Sequence, residues 1–176
     1  MSLSRQSVLS LLIFQNDWKR GAELGVYEGA TFLYLLERFP TLELIGVDKW
    51  ERTPGPKDQD RETGQVSYAN KDMEGAEKFV REQCAVFNAR AKIIKADTVK
   101  AAKEVADSSL DFVFIDADHT TASVKADIKA WQPKVKAGGM LLGHDRNWPS
   151  VQKALAALFG PNGWKKYEGN VWARRC

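Results

Sequence analysis

The sequence predicts an α/β fold, in which a mostly parallel sheet carries helices on both faces and ends in a C-terminal antiparallel hairpin. Short apolar segments alternate with segments of helical periodicity along most of the chain, as expected for successive βα units. Four successive apolar segments end in an acid, at Asp48, Asp97, Asp116 and Asp145. The carboxyl ends of parallel strands meet at one edge of the sheet, where such sheets bind ligands. Near the C-terminus, the Gly169-Asn170 pair is typical of a two-residue hairpin turn.

The helices are predicted from apolar residues that recur every three or four positions and from capping residues at the helix ends. Val124, Ile128 and Trp131, for example, fall on one face of segment 120–136. Pro149 suits the first turn of another helix, because the first N–H groups of a helix have no partner within it. The predicted helices are, in chain order, 4–14, 31–39, 68–87, 98–106, 120–136 and 149–159.

The strands are predicted from short segments rich in branched and aromatic residues and bounded by turn residues. They are, in chain order, 22–26, 42–48, 92–97, 110–116, 139–145 and the hairpin strands 164–168 and 171–175. Five βα units followed by an antiparallel hairpin differ from the all-parallel sheet of a dinucleotide-binding domain.

Length and composition predict one domain, residues 1–176, with a core of its own. The formal net charge of +3 is too small to indicate a nucleic-acid partner. No segment approaches the roughly 18 apolar residues that span a bilayer, and the N-terminus lacks the apolar stretch of a signal peptide. With two cysteines and no indicated disulfide framework, we expect a cytoplasmic protein without a membrane partner. The composition leaves a homo-oligomer open.

The first predicted strand leads into a Glu-x-Gly-x-x-x-Gly motif formed by Glu23, Gly25 and Gly29. The glycines allow a tight turn and a close approach of a ligand, and the free N–H groups of the following helix favour negative charge on that ligand. Glu23 is unusual in a buried strand, where a carboxylate is costly unless it meets a cation. The spacing differs from the G-x-G-x-x-G motif that binds dinucleotides. Asp48 follows Gly29 by 19 residues, about where an acid binds both ribose hydroxyls.

Three longer segments resemble a known family: Ala22-Glu-Leu-Gly-Val-Tyr-Glu-Gly-Ala-Thr31, Phe114-Ile-Asp-Ala-Asp-His119 and Gly138-Gly-Met-Leu-Leu-Gly-His-Asp145. In this order they resemble the class I S-adenosylmethionine-dependent methyltransferases, in the small-molecule O-methyltransferase branch that includes macrocin O-methyltransferase-like proteins. The resemblance covers nearly the whole chain. It implies a Rossmann-like class I methyltransferase domain that uses S-adenosylmethionine to methylate an oxygen, or a nitrogen, of a small-molecule acceptor.

The residues expected to bind the cofactor lie at the carboxyl ends of the first four predicted strands. Asp48 is expected to bind the ribose, and Glu23 the ammonium group of the cofactor. Asp97 is expected near the adenine amine, although an Asp in front of Thr98 is also a good helix N-cap. For Trp50, stacking on adenine and packing in the core both stay open. The full predicted set is Glu23, Gly25, Tyr27, Gly29, Asp48, Lys49, Trp50, Asp97, Thr98 and Asp116.

Both histidines of the chain lie at the end of a predicted strand or just past it, and each stands near an aspartate. They are therefore expected to converge with these acids at one rim of the sheet, as a set made of Asp116, Asp118, His119, His144 and Asp145. An imidazole can serve as a general base near neutral pH. The candidate catalytic residues are His144, His119 and Asp116.

A metal ion at this rim is a second possibility, because oxygen-rich sites with one or two imidazoles suit Mg²⁺ or Mn²⁺. The resemblance to catechol-type methyltransferases implies metal ligands at Asp116 and Asp145, followed by an amide ligand. Here the residue at the amide position is Arg146, a cation that repels a dication. A metal-dependent and a metal-free version both stay open, and Arg146 favours the metal-free version.

Segment 50–65 is polar, contains prolines and glycines, and is long for a loop in a compact domain. We predict that it forms a lid over the cofactor, with plain disorder as the alternative.

Other function classes compete with methyl transfer. An NAD-dependent oxidoreductase is disfavoured by the glycine spacing and by the terminal hairpin. A non-catalytic domain that keeps the S-adenosylmethionine pocket gains some weight from the short chain. RNA methylation lacks the usual Asn/Asp-Pro-Pro-Tyr-type motif in this sequence.

Overall fold

The computed structural model describes residues 3–51, 60–66 and 71–176. The described helices are α1 Arg5–Asn16, α2 Ala30–Arg38, α3 Met73–Cys84, α4 Thr98–Ala101, α5 Thr121–Trp131 and α6 Pro149–Phe159. The described strands are β1 Arg20–Leu24, β2 Glu43–Asp48, β3 Ala91–Lys95, β4 Leu110–Ile115, β5 Val135–Gly143, β6 Lys165–Lys166 and β7 Trp172–Arg175. Every predicted element is present, with ends that differ by a few residues.

Within the described residues, the strands form one seven-stranded sheet in the order β3-β2-β1-β4-β5-β7-β6. The first five strands are parallel to one another, and β7 runs antiparallel to both β5 and β6. The predicted fold class is therefore confirmed. Because β1 lies between β2 and β4, the ends of these three strands meet at the centre of one sheet edge. This is the point where successive strands switch from one side of β1 to the other.

Two cores cover the two faces of the sheet. Successive side chains of a strand point to opposite faces, and β4 follows this rule: Phe112 and Phe114 pack on one face, Val113 and Ile115 on the other. The first core contains the apolar sides of α1, α2 and α3, and the second contains those of α4, α5 and α6. The predicted helices on both faces are thus confirmed.

Helix α1 brings the N-terminal segment onto the first face. Ser4 caps the helix, because its hydroxyl accepts a hydrogen bond from the Ser7 N–H at 3.2 Å. The buried side of the helix packs into the first core, and Arg5 stands at the first position of the helix. This start lies close to the carboxyl end of β4, since the Arg5 side chain reaches Asp116.

Some predicted helix ends are wrong, and proline geometry explains part of the difference. The helix predicted for 120–136 ends at Trp131, because Pro133 lies in a 3₁₀ turn, Gln132–Lys134, and has no N–H to continue the helix. Strand β5 consequently begins at Val135, earlier than predicted. The helix predicted for 68–87 begins at Met73 and ends at Cys84, and residues 67–70 lie outside the described part.

The predicted turn of the C-terminal hairpin has the expected geometry. Gly169 and Asn170 both have φ of 60°, the left-handed region that such a turn requires. The Asn170 amide then donates to the carboxylate of Asp145 at 3.2 Å and to the Asn147 side-chain oxygen at 2.6 Å. The hairpin therefore supports the loop that follows β5.

Across the described ranges, no helix combines the length and the apolar character that crossing a bilayer requires.

Candidate active site

A cavity of about 470 Å³ opens at the carboxyl edge of β1, β2, β3 and β4. The turn after each of these strands contributes to its wall, and so does the described end of segment 50–65. Seven of the ten residues predicted to bind the cofactor line it: Gly25, Tyr27, Asp48, Lys49, Asp97, Thr98 and Asp116. The other three, Glu23, Gly29 and Trp50, do not.

Gly25 is a glycine for a reason that the sequence did not reveal. Its φ is 88°, and a Cβ at this position would overlap the carbonyl group of Asp116. The turn after β1 therefore packs directly on the backbone after β4, which leaves no room for a side chain. Gly29, with φ of 78°, is the N-cap of α2.

The Asp48 carboxylate is oriented by two backbone N–H groups at the tip of β2. Tyr27 N–H donates to Oδ2 at 2.9 Å, and Trp50 N–H donates to Oδ1 at 2.8 Å. The Trp50 indole in turn donates to the Tyr27 carbonyl at 2.8 Å and is only 4% exposed. Trp50 thus packs in the core and does not line the cavity, which supports the packing interpretation over stacking on adenine.

Glu23 is a buried acid without a full set of partners. It is 4% exposed, and its Oε2 has no hydrogen-bond partner in the described part of the chain. Arg20, a cation in the same strand, lies 3.8 Å from Glu43 instead. Burial and then the negative charge of Asp116 raise the pKa of Glu23 well above its usual range. An unpaired buried carboxyl group of this kind is unfavourable without a ligand, and a cation would relieve it.

Asp97 and Thr98 differ in what they offer to the cavity. The exposed Asp97 side chain is the N-cap of α4, accepting from the N–H groups of Val99 at 3.1 Å and Lys100 at 3.2 Å. Thr98 donates its hydroxyl to Oδ1 of Asp127 at 2.5 Å. Asp127 also lines the cavity and is 2% exposed, and the sequence analysis did not identify it.

Four of the five residues expected to converge at the rim do so. The His119 Nε2 atom lies 3.0 Å from Oδ2 of Asp145. The His144 Nδ1 atom lies 3.3 Å from the same oxygen and 3.6 Å from Oδ1 of Asp116. Asp118 is the exception: it is exposed, and its carboxylate accepts from the Thr120 N–H at 2.7 Å.

Arg5 completes this cluster from a distant part of the chain. Its Nη1 lies 2.7 Å from Oδ2 of Asp116, and its side chain is 32% exposed. Sequence reasoning missed this residue, because no local motif relates position 5 to the strand ends. Arg146 was expected beside these acids, at the position of an amide ligand. Its Nε instead donates to the Tyr167 carbonyl at 3.0 Å.

The pKa values in the cluster follow from burial and from these pairs. Burial raises the pKa of Asp116, although the charges of His144, Arg5 and His119 act against this. For His144, burial lowers the pKa, but the hydrogen bond with Asp145 and the charge of Asp116 outweigh it, so the net pKa is raised. For Asp145, burial is outweighed by the His144 hydrogen bond and the nearby imidazoles, so its pKa is lowered. His144 therefore carries its proton more readily than an ordinary histidine.

The donor atoms of the cluster could in principle surround a metal ion. Asp116, His144 and Asp145 each offer one ligand atom, and these atoms lie within 4.8 Å of one another. However, Arg5 already occupies Oδ2 of Asp116, and His119 occupies Oδ2 of Asp145. A dication would meet the Arg5 guanidinium at close range, which is unfavourable. The residues do not fit a metal ion while Arg5 is in place.

The sequence matches the model of a family described as a methyltransferase domain, over residues 22–146. This range includes most of β1, all of β2 to β5 and all of the cavity residues named above. No curated protein matches the chain.

Several solved structures share the fold. An SAH-bound methyltransferase of Podospora anserina has a TM-score of 0.67 at 16% identity, covering 98% of this chain and 78% of its own. A candidate caffeoyl-CoA O-methyltransferase from Staphylococcus aureus has a TM-score of 0.67 at 15% identity, covering 96% and 80%. A calicheamicin methyltransferase has a TM-score of 0.65 at 15% identity, covering 98% and 80%. At these identities the likeness concerns the fold.

Proposed function

This chain belongs to the methyltransferase-domain family, and from that premise we propose that it transfers a methyl group from S-adenosylmethionine to an oxygen, or a nitrogen, of a small molecule. The observation that carries the proposal is the buried Glu23 carboxyl with an unpaired oxygen, next to a cavity that Asp48 and Asp116 line. S-adenosylmethionine is a cationic nucleoside, and this site offers acids for both its ribose and its positive charges.

The proposed placement follows from the three acids. Asp48 is held in one orientation by two N–H groups, so its remaining lone pairs are available to the two ribose hydroxyls. The ammonium group of the cofactor would lie near Glu23 and Asp116, whose raised pKa values would then fall as each carboxylate gains a cation. The free energy of relieving the unpaired Glu23 oxygen would thereby contribute to binding.

Bound S-adenosylmethionine supplies a methyl group on a positively charged sulfur. In the proposed reaction the acceptor oxygen forms a bond to this carbon while the carbon–sulfur bond breaks and its electron pair stays on sulfur. The chain aligns the two reactants at the strand ends and removes the acceptor proton. We assign His144 as the base, with His119 as the alternative, and Asp116, 3.6 Å from His144, as the carboxylate whose charge stabilises the protonated His144.

We further propose a metal-free reaction and assignment to the macrocin O-methyltransferase-like branch. The Arg5–Asp116 pair supports the first, because Arg5 supplies the positive charge beside the acids that a metal ion would otherwise supply. The three sequence segments that resemble this branch support the second, and with it a small-molecule acceptor.

Calorimetry with S-adenosylhomocysteine and with NAD tests the proposal. We expect S-adenosylhomocysteine to bind and NAD not to bind. Asp48→Ala should weaken binding by about 2–3 kcal/mol, because a charged acceptor of two hydrogen bonds is lost. Asp17→Ala is the control, since Asp17 is an exposed acid outside the cavity. NAD binding tighter than S-adenosylhomocysteine would overturn the proposal.

Turnover tests the assigned base in the same protein. With a methyl acceptor identified by screening, His144→Ala should lower kcat by about 10²-fold or more. The affinity for S-adenosylhomocysteine should stay nearly unchanged. Unchanged turnover in this variant would remove His144 from the mechanism and leave His119.

A further inference from the structure

We propose that Asp127 binds the adenine base of the cofactor, with its protonated carboxyl group pairing with the N1 and amino edge of the ring. This inference rests on the proposed function, since it assigns one more contact to the same cavity. It gives Asp127 a role in selecting adenine over other bases.

The Asp127 carboxyl is held in a defined position at the cavity wall. It lies on α5, is 2% exposed and lines the cavity. Thr98 donates its hydroxyl to Oδ1 at 2.5 Å, and the Thr98 carbonyl in turn accepts from the Trp131 indole at 2.9 Å. Among the described residues, Thr98 is the hydrogen-bond partner of this carboxyl group. Oδ2 is therefore the atom left for a ligand.

The chemistry of the pair requires the neutral acid. A carboxylic acid has one O–H donor and one carbonyl acceptor side by side, whereas a carboxylate only accepts. The adenine edge presents an amino donor beside the N1 acceptor. With Thr98 donating to Oδ1, the amino group of the base donates to the same oxygen and the Oδ2 hydroxyl donates to N1. An ionised Asp127 would leave N1 without a partner.

The surroundings of Asp127 favour this neutral form. Burial raises its pKa from the ordinary value to about 7, and the charges of Asp97 and Asp118 add to this, while the Thr98 hydrogen bond acts against it. These acids face Asp127 from the end of β3 and from the turn after β4. Lys49 and His119 are the ionisable groups of opposite sign that line the same cavity.

The position along the cavity agrees with the base. In the proposed placement the ribose lies on Asp48, and the charged end of the cofactor lies near Asp116. The base is then directed to the part of the wall that Thr98, Ala126 and Asp127 form. Asp97 is the weaker candidate for this contact, because its exposed carboxylate already caps α4.

Calorimetric titration with S-adenosylhomocysteine between pH 5.5 and 8.5 tests the inference. The wild-type affinity should be constant below pH 7 and fall by up to about tenfold per pH unit above it, as the neutral acid is lost. Asp127→Asn should bind like the wild type at pH 6, because an amide also offers a donor beside an acceptor, and should lose this part of the pH dependence. Asp127→Leu should bind at least tenfold more weakly at pH 6.

Asp107→Asn is the matched control, since it makes the same change at an exposed acid outside the cavity and should leave both the affinity and its pH dependence as in the wild type. A folded Asp127→Leu with wild-type affinity at pH 6 would overturn the inference. If that variant does not fold, an Asp127→Asn affinity profile that follows the wild type across the whole pH range would overturn it. A wild-type protein that binds no S-adenosylhomocysteine at any pH would contradict the proposed function itself.

Discussion

At the residue scale, Arg5 decides what the acidic cluster can bind. Its guanidinium lies 2.7 Å from Asp116, and Asp116 lies within reach of His144 and Asp145. Without Arg5, the cluster would keep two carboxylates and an imidazole with no fixed cation at Oδ2 of Asp116. Such a set suits a divalent ion.

Removal of Arg5 should therefore create a metal site. We expect Arg5→Gln to bind Mn²⁺ in a calorimetric titration at pH 7.5, and the wild type to show no binding under the same conditions. Arg146→Gln is the matched control, because Arg146 bonds to the Tyr167 carbonyl and should leave the protein without Mn²⁺ affinity. Equal Mn²⁺ affinity in the wild type and in Arg5→Gln would show that Arg5 does not exclude the ion.

The sequence predicted part of this cluster for a simple reason. Asp116 and Asp145 each follow an apolar strand, and parallel strands bring such ends together, so their convergence with the histidines could be expected. Arg5 could not be predicted, since its contact spans 111 positions and depends on where α1 lies on the sheet. Asp127 escaped notice because a polar residue inside a helical segment is most often on its solvent side.

At the element scale, the turn formed by residues 60–66 closes one side of the cavity. Asp60 and Gln65 pair through a β-bridge, and the Gly64 N–H donates to the Asp60 carbonyl at 2.7 Å. Gly64 has φ of 81°, and a Cβ there would overlap the carbonyl group of His119. Residues 52–59 of the predicted lid lie outside the described part, so the lid itself stays a prediction.

Gly64→Ala should displace this turn from the cavity wall. We expect weaker S-adenosylhomocysteine binding and faster proteolysis within 50–66, with a small change in the free energy of unfolding. Gly138→Ala is the matched control, because Gly138 has nearly the same φ, 82°, but has open space where the Cβ would lie. Both variants carry the same backbone strain, and only the first carries the overlap. Equal ligand affinity in the two variants would contradict a role for the turn in binding.

The order and type of the elements were predictable, but several of their ends were not. Apolar periodicity and turn residues identified each strand and helix, and Pro149 marked the start of α6 at the observed residue. The end of α5 depended on Pro133, which stopped the helix inside a segment of continuous helical periodicity. The start of β5 depends on pairing with β4, where Val135 lies opposite Leu110. Long-range pairing of this kind leaves no local pattern in the sequence.

At the scale of the whole molecule, the cavity concentrates buried acids at one edge of the sheet. The pKa values of Glu23, Asp116 and Asp127 are all raised, in each case chiefly by burial. Burial therefore makes the charged form of each acid less favourable in the folded chain than in the unfolded chain. A ligand that pairs with these acids offsets this cost. The free energy of unfolding should therefore be lower for the ligand-free protein than for the ligand-bound protein.

This arrangement predicts that the free energy of unfolding falls as pH rises from 5 to 8. Between the unfolded pKa of an Asp, about 4, and the folded value of about 7 for Asp127, the folded chain binds more protons than the unfolded chain. The contribution of Asp127 to the free energy of unfolding is fully present below pH 4. It is lost progressively between pH 4 and pH 7, by at most about 1.4 kcal/mol per pH unit. The raised pKa of His144 acts in the same direction. The lowered pKa of Asp145 matters only below its ordinary range, outside this window.

Urea unfolding at pH 5, 6, 7 and 8 measures this slope, and Asp127→Asn isolates the contribution of Asp127. The Asn variant cannot ionise, so its stability should vary less with pH than that of the wild type, while Glu23, Asp116 and His144 still contribute to both. The difference between the two curves should grow from pH 5 to pH 7 and then stay constant. Parallel curves would mean that Asp127 has the same pKa in the folded and unfolded chain, and that the buried acid is not held neutral by its surroundings.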